Sequence, residues 1–135
     1  MNIGLIPARW NSTRFTGKPL ANISGKSMIR RVYDQTLKSR LLDKVIVLTD
    51  DQRIQDECLK YSMEVMMIKE ECHSGTDRVA IASKNLNADL YVNIQGDEPL
   101  INPDSIDGVL NNLINNNSVE ISNAFTKITE PFKVT

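Results

Sequence analysis

Residues 44–48 read KVIVL, a lysine followed by an unbroken apolar run in which three of the four residues are β-branched. A strand with one wet face alternates apolar and polar side chains. A strand covered on both faces does not, and such strands belong to parallel sheets. Residues 2–6, NIGLI, form a second short apolar run, ended by Pro7. Between the two runs, residues 26–42 carry Met28, Ile29, Val32, Leu37 and Leu41 at roughly the helical period. Strand, amphipathic crossover helix and buried strand make a βαβ unit.

The same alternation continues along the chain. A polar-faced helix is predicted over about Asp51 to Tyr61, a strand at Glu64 to Ile68 (EVMMI), a helix over about Thr76 to Lys84 and a strand at Asp89 to Ile94 (DLYVNI). Pro103 suits a helix first turn with Asn102 as its cap, and that helix is predicted to run to about Ile114 before Asn115 to Asn117 end it. A last strand is expected at Glu120 to Ile128, ahead of residues 129–135, TEPFKVT. Elements in this order predict a three-layer α/β fold around a mainly parallel sheet.

At 135 residues the chain suits one domain with a working core. Its net charge of −1 gives no electrostatic case for nucleic acid as a partner. The charge is unevenly spread, however. Asp34 is the first acid, and Arg9, Arg14, Lys18, Lys26, Arg30 and Arg31 all precede it, which points to an anionic ligand near the N-terminus. Cys58 and Cys72 form no CxxC pair, no secretory signal precedes them, and no apolar run approaches the ~20 residues that span a bilayer, so a reduced, cytoplasmic, non-membrane protein is expected.

Two loops are chemically unusual. Residues 6–19, IPARWNSTRFTGKP, set Arg9, Arg14 and Lys18 among small and turn-forming residues with Gly17 and no acid. Residues 95–100, QGDEPL, set Asp97 and Glu98 beside Gly96. In open parallel sheets ligands bind beyond the carboxyl ends of the strands, where the strand order reverses. A 3-2-1-4 order would bring these two loops to one crevice. Cations and backbone N–H groups suit a polyphosphate, and a carboxylate beside them suits Mg²⁺, which binds through one or two carboxylates and substrate phosphates. Taken alone, Asp97 and Glu98 read equally as a solvated acidic turn.

Two further stretches need separating from these. Gly25 to Ser27 resembles the end of a phosphate-binding P-loop, but the position that would hold its first glycine is Leu20, which excludes that motif. The stretch SGKS is instead expected to cap and open the first helix, with Ser24 and Gly25 as the turn. Residues 72–79, CHSGTDRV, place Ser74, Gly75, Thr76, Asp77 and Arg78 where the third helix should begin, a position that favours anions. The plainer reading is a Ser or Thr cap with Asp77 and Arg78 on the surface. His73 has no metal-spaced partner and reads as a surface or structural residue.

Read in order, IPARWNSTRFTGKPLANISGKSMI (6–29), VLTDD (47–51), HSGTDRVA (73–80) and VNIQGDEPLI (92–101) resemble the cytidylyltransferases that activate acidic sugars, in particular the 3-deoxy-manno-octulosonate (Kdo) cytidylyltransferase, or CMP-Kdo synthetase, family. The resemblance spans essentially the whole chain and about the N-terminal half of the family's domain. It implies a nucleotide-diphospho-sugar transferase (Rossmann-like) fold and a Mg²⁺-dependent transfer of CMP from CTP to Kdo, releasing pyrophosphate for lipopolysaccharide synthesis by a cytoplasmic homodimer. It further implies that Arg9, Arg14 and Lys18 hold the triphosphate and that Ser74, Gly75, Thr76, Arg78 and Gln95 help fix the cytidine. Asp97 would bind Mg²⁺, and Arg9, Lys18 and Asp97 would carry the transfer.

Three features depart from the family pattern. Thr16 stands where the family usually has Pro, and His73 abuts Ser74 where one residue usually intervenes. The family's later segment, which supplies a second metal-binding Asp, much of the sugar site and the dimer surface, is not among these 135 residues. The other readings are a cytidylyltransferase for a different acidic sugar of surface polysaccharide and a non-catalytic CTP-binding fragment.

Overall fold

In the computed structural model residues 1–11 and 16–115 are described. The N-terminal apolar run forms β1 (Asn2–Pro7). A 3₁₀ turn (Lys18–Leu20) and a short antiparallel hairpin, β2 (Asn22–Ile23) and β3 (Lys26–Ser27), lead into α1 (Met28–Thr36). Then come β4 (Lys44–Thr49), α2 (Gln52–Lys60), β5 (Val65–Met67), α3 (Gly75–Lys84), β6 (Leu90–Asn93) and α4 (Pro103–Asn115).

The main sheet is parallel in the order β5-β4-β1-β6, with Leu5 facing Ile46 on one side and Asn93 on the other. Counting only these four strands, this is the 3-2-1-4 order. The run Val45–Leu48 is buried throughout and divides by parity. Val45 and Val47 pack with Ile29, Val32, Ile54, Ile106 and Leu110 from α1, α2 and α4; Ile46 and Leu48 pack with Ile3, Leu5 and Ala82 against α3. Helices therefore cover both faces of the sheet. Each fully buried Leu, Ile or Val side chain contributes about 1.5–3 kcal/mol relative to exposure, which explains why an unbroken apolar run marks this strand.

Two local readings are corrected. Ser24 and Gly25 do form a turn, but it closes the β2–β3 hairpin rather than opening a helix. Both have positive φ (51° and 95°), as a two-residue hairpin turn requires, and the Gly25 N–H donates to Asn22 Oδ1 at 2.8 Å. The helix starts after Ser27, whose Oγ is buried and makes no capping bond. It also ends earlier than predicted. Asp107 on α4 accepts from Ser39 Oγ (2.5 Å) and from the Arg40 and Leu41 N–H groups (3.1 and 3.2 Å), so residues 39–41 bond across to α4 instead of continuing α1. The strand expected at Glu120 to Ile128 lies outside the described residues.

Candidate active site

From β1 the chain moves outward to β4 and β5, then returns to the other side of β1 to form β6. The strand order therefore reverses between β1 and β6. At the carboxyl ends of these two strands lies a cleft of about 570 Å³. Pro7, Ala8 and Arg9 leave β1 along one side, followed by Lys18 and Pro19 of the 3₁₀ turn. Cys72 to Gly75 and Arg78 supply the α3 side, and Gln95 to Asp97 close it after β6.

The loop after β6 presses on the end of β1. A Cβ on Gly96 would stand 2.8 Å from the Pro7 carbonyl oxygen, a contact that backbone cannot yield without moving. Pro7 thereby forms the floor on which the cation-bearing and acid-bearing loops meet. Across that floor Lys18 Nζ lies 3.4 Å from Asp97 Oδ2, with both side chains about half exposed. A pair this exposed is worth roughly 0–1 kcal/mol and gives way readily to a charged ligand. Arg9 is exposed and has no ion-pair partner among the described residues.

The opposite wall is the start of α3. Ser74 is its N-cap, accepting from the Asp77 N–H at 3.1 Å, while Asp77 Oδ2 accepts from the His73 N–H at 3.1 Å. These bonds fix the helix entry, and the remaining N–H groups of the first turn carry the partial positive charge of a helix N-terminus. Arg78 is not the surface residue of the plainer reading. It is 4% exposed, and Nη1 donates to the Ile68 carbonyl at 3.0 Å. Its Nη2 lies 3.9 Å from Asp50 Oδ2. An arginine can be buried here because its guanidinium fork finds oxygen partners.

Of the residues singled out in the sequence, Arg9, Lys18, Ser74, Gly75, Arg78, Gln95 and Asp97 line one cleft. Thr76 sits on the first turn of α3 outside the lining, and Arg14 lies outside the described residues. His73 lines the cleft as an exposed residue. Sequence reasoning missed Pro7, whose role depends on what packs over it. It also missed Asp50, which the VLTDD motif contained without showing a partner. Cys58 plays no part: it is fully buried in the core, and burial, with a smaller contribution from Glu57, pushes its thiol up to about 12.

The description "Cytidylyltransferase" belongs to the family whose profile matches residues 3–135, almost the entire chain. The chain belongs to the cytidylyltransferase family. Within this family it is 43% identical over 131 residues to the 3-deoxy-manno-octulosonate cytidylyltransferase of Chlamydia trachomatis, covering 96% of this chain and 52% of that protein. It is 44% identical over 128 residues to the enzyme of the same name from Zea mays, covering 93% and 43%. Among solved structures it is similar to a CMP:2-keto-3-deoxy-manno-octonic acid synthetase complexed with CTP, with a TM-score of 0.85, 36% identity and coverage of 87% of this chain and 49% of that one. This cytidylyltransferase chain spans about half the length of the curated relatives it matches. Among its described residues no helix is long and apolar enough to cross a membrane.

Proposed function

We propose that residues 1–135 are the nucleotide-binding part of a cytidylyltransferase domain whose enzyme transfers CMP from CTP to Kdo and releases pyrophosphate. The observation that carries this reading is the meeting of Lys18 and Asp97 at the strand-order switch, opposite the N-terminus of α3. Transfer of a nucleotidyl group needs no protein nucleophile. It needs the acceptor hydroxyl held in line with the α-phosphorus and the charge on the phosphate oxygens and departing pyrophosphate neutralised. In this reading Arg9 and Lys18 bind the triphosphate from one side, and Arg14 is assigned to the triphosphate by its place in the sequence motif alone. The Ser74–Gly75 backbone faces the nucleotide from the α3 side, where Arg78 holds the wall in place, and Gln95, on the loop after β6, hydrogen-bonds the cytidine.

The donor set fits Mg²⁺. Among the described residues no group of three or more acidic, His or Cys side chains gathers to form an all-protein metal cage. Among the described residues Asp97 is an exposed carboxylate ion-paired with the half-exposed Lys18, as suits an ion that takes one or two carboxylates and otherwise uses phosphates and water. Bound there, Mg²⁺ would offset negative charge on the triphosphate. The whole enzyme is proposed to act as a cytoplasmic homodimer in lipopolysaccharide synthesis.

Calorimetric titration of the 135-residue chain with CTP, with and without Mg²⁺, followed by Kdo and a pyrophosphate-release assay, tests the proposal. Saturable, Mg²⁺-dependent CTP binding is expected. Release of pyrophosphate on Kdo addition would place the sugar site within this span; binding without release would make the span a CTP-binding unit. Absence of CTP binding would overturn the proposal.

A further inference from the structure

The VLTDD stretch contributes no residue to the cleft lining, yet it reaches both of its walls. On one side Asp50 lies 3.9 Å from the buried Arg78 guanidinium, which bonds the Ile68 carbonyl and lines the cleft. On the other, Asp51 caps α2 by accepting from the Arg53 N–H at 2.8 Å and also holds the Arg53 side chain, Nε at 3.0 Å and Nη2 at 2.8 Å. So oriented, the Arg53 guanidinium lies 3.4 Å from the centroid of the Trp10 ring.

Trp10 in turn fixes Gly17. The Gly17 N–H donates to the Trp10 carbonyl at 2.7 Å, Gly17 has φ +78°, and a Cβ on it would lie 2.8 Å from the indole ring. Arg9 immediately precedes Trp10 and Lys18 immediately follows Gly17. The Trp10–Gly17 pair therefore sets where both cleft cations leave the protein surface.

We infer that Asp51, Arg53, Trp10 and Gly17 form a positioning brace that holds Arg9 and Lys18 at the spacing a polyphosphate requires. As to its ligand, the inference rests on the proposed CTP site. None of the four is a catalytic residue; they act through the two cations. The stacked, doubly hydrogen-bonded guanidinium is a geometry that lysine does not reproduce.

The test uses the ligand-free 135-residue chain and pyrophosphate as probe. Arg53→Ala is expected to raise the exchange rate of the Gly17 amide about tenfold while the Leu5 and Val47 amides keep theirs, and to weaken pyrophosphate about tenfold with cytidine unaffected. Arg53→Lys, which retains the charge, is expected to show both effects at about threefold. Wild-type Gly17 exchange in Arg53→Ala overturns the brace. Full recovery by Arg53→Lys also overturns it, because Arg53 would then act by charge alone, and so does an equal loss for cytidine. If the wild-type chain binds neither CTP nor pyrophosphate, the reading of the cleft fails, and Gly17 exchange still decides whether the brace exists.

Discussion

Lys18 and Asp97, separated by 79 positions in the chain, stand 3.4 Å apart across the carboxyl ends of β1 and β6. Neither is buried, so the contact does little for stability. Its importance is positional, since a phosphate that engages Lys18 arrives within reach of the carboxylate.

Asp97→Asn is expected to leave the fold intact, changing stability by less than about 1 kcal/mol, and to abolish the Mg²⁺ dependence of CTP binding. Parallel calorimetric titrations with Mg²⁺ and with a chelator check it. Undiminished Mg²⁺ dependence would remove Asp97 as the metal ligand.

Lys18→Ala should weaken CTP by about 10–100-fold, the scale of a lost charge-assisted phosphate contact, while cytidine affinity stays within about twofold. Equal losses for both ligands would show that Lys18 does not address the phosphates.

Gly96→Ala should destabilise the protein by about 1–3 kcal/mol, because the added methyl would meet the Pro7 carbonyl at 2.8 Å and force the backbone apart. Thermal unfolding measures the cost. CTP affinity of the folded variant should fall as well, since Asp97 travels with that loop.

Asp107→Ala should cost about 2–3 kcal/mol by stripping partners from Ser39, Arg40 and Leu41. Burial alone would raise the Asp107 pKa, but the bonds from Ser39, Arg40 and Leu41 outweigh it and the net shift is downward from 3.8. A carboxyl with a depressed folded pKa stabilises the protein above its unfolded value and loses that contribution as pH falls through the folded one. Wild-type stability should therefore drop below about pH 4 by more than that of Asp107→Ala. Denaturant melts of both proteins from pH 6 to pH 3 measure the difference.

An alkylating reagent should label Cys72 in the native protein and spare Cys58, which is fully buried with its thiol pushed up to about 12. Mass spectrometry should count one adduct in buffer and two in denaturant. Native labelling of Cys58 would contradict its placement in the core.

Where periodicity controls the outcome, the chain was readable. KVIVL is buried on both faces because helices lie on both sides, and that pattern survives in one dimension. The strand order, and with it the convergence of the two unusual loops, followed from topology common to such sheets. Tertiary partners were harder to see. Nothing near Leu37 announces that Asp107 will end the first helix, and Arg78 reads as a surface cation until Ile68 and Asp50 are seen around it. Trp10 offered one usable signal, as the only tryptophan in the chain, set in a polar loop. Its neighbour Arg53 carried none, because a charged residue near a helix start is ordinary.

β1 precedes the other described strands of the sheet in sequence yet lies inside it, paired at Ile3 with both Lys44 and Tyr91. The consequence concerns the order of assembly during synthesis. Local pairing with β4 becomes available once the first βαβ unit emerges, but the other edge of β1 stays open until residues 90–93 have been made. The cleft cannot exist before then. Nascent chains that stop short of β6 should expose an unpaired parallel edge and depend on chaperones, and those that include β6 should gain protease resistance in one cooperative step.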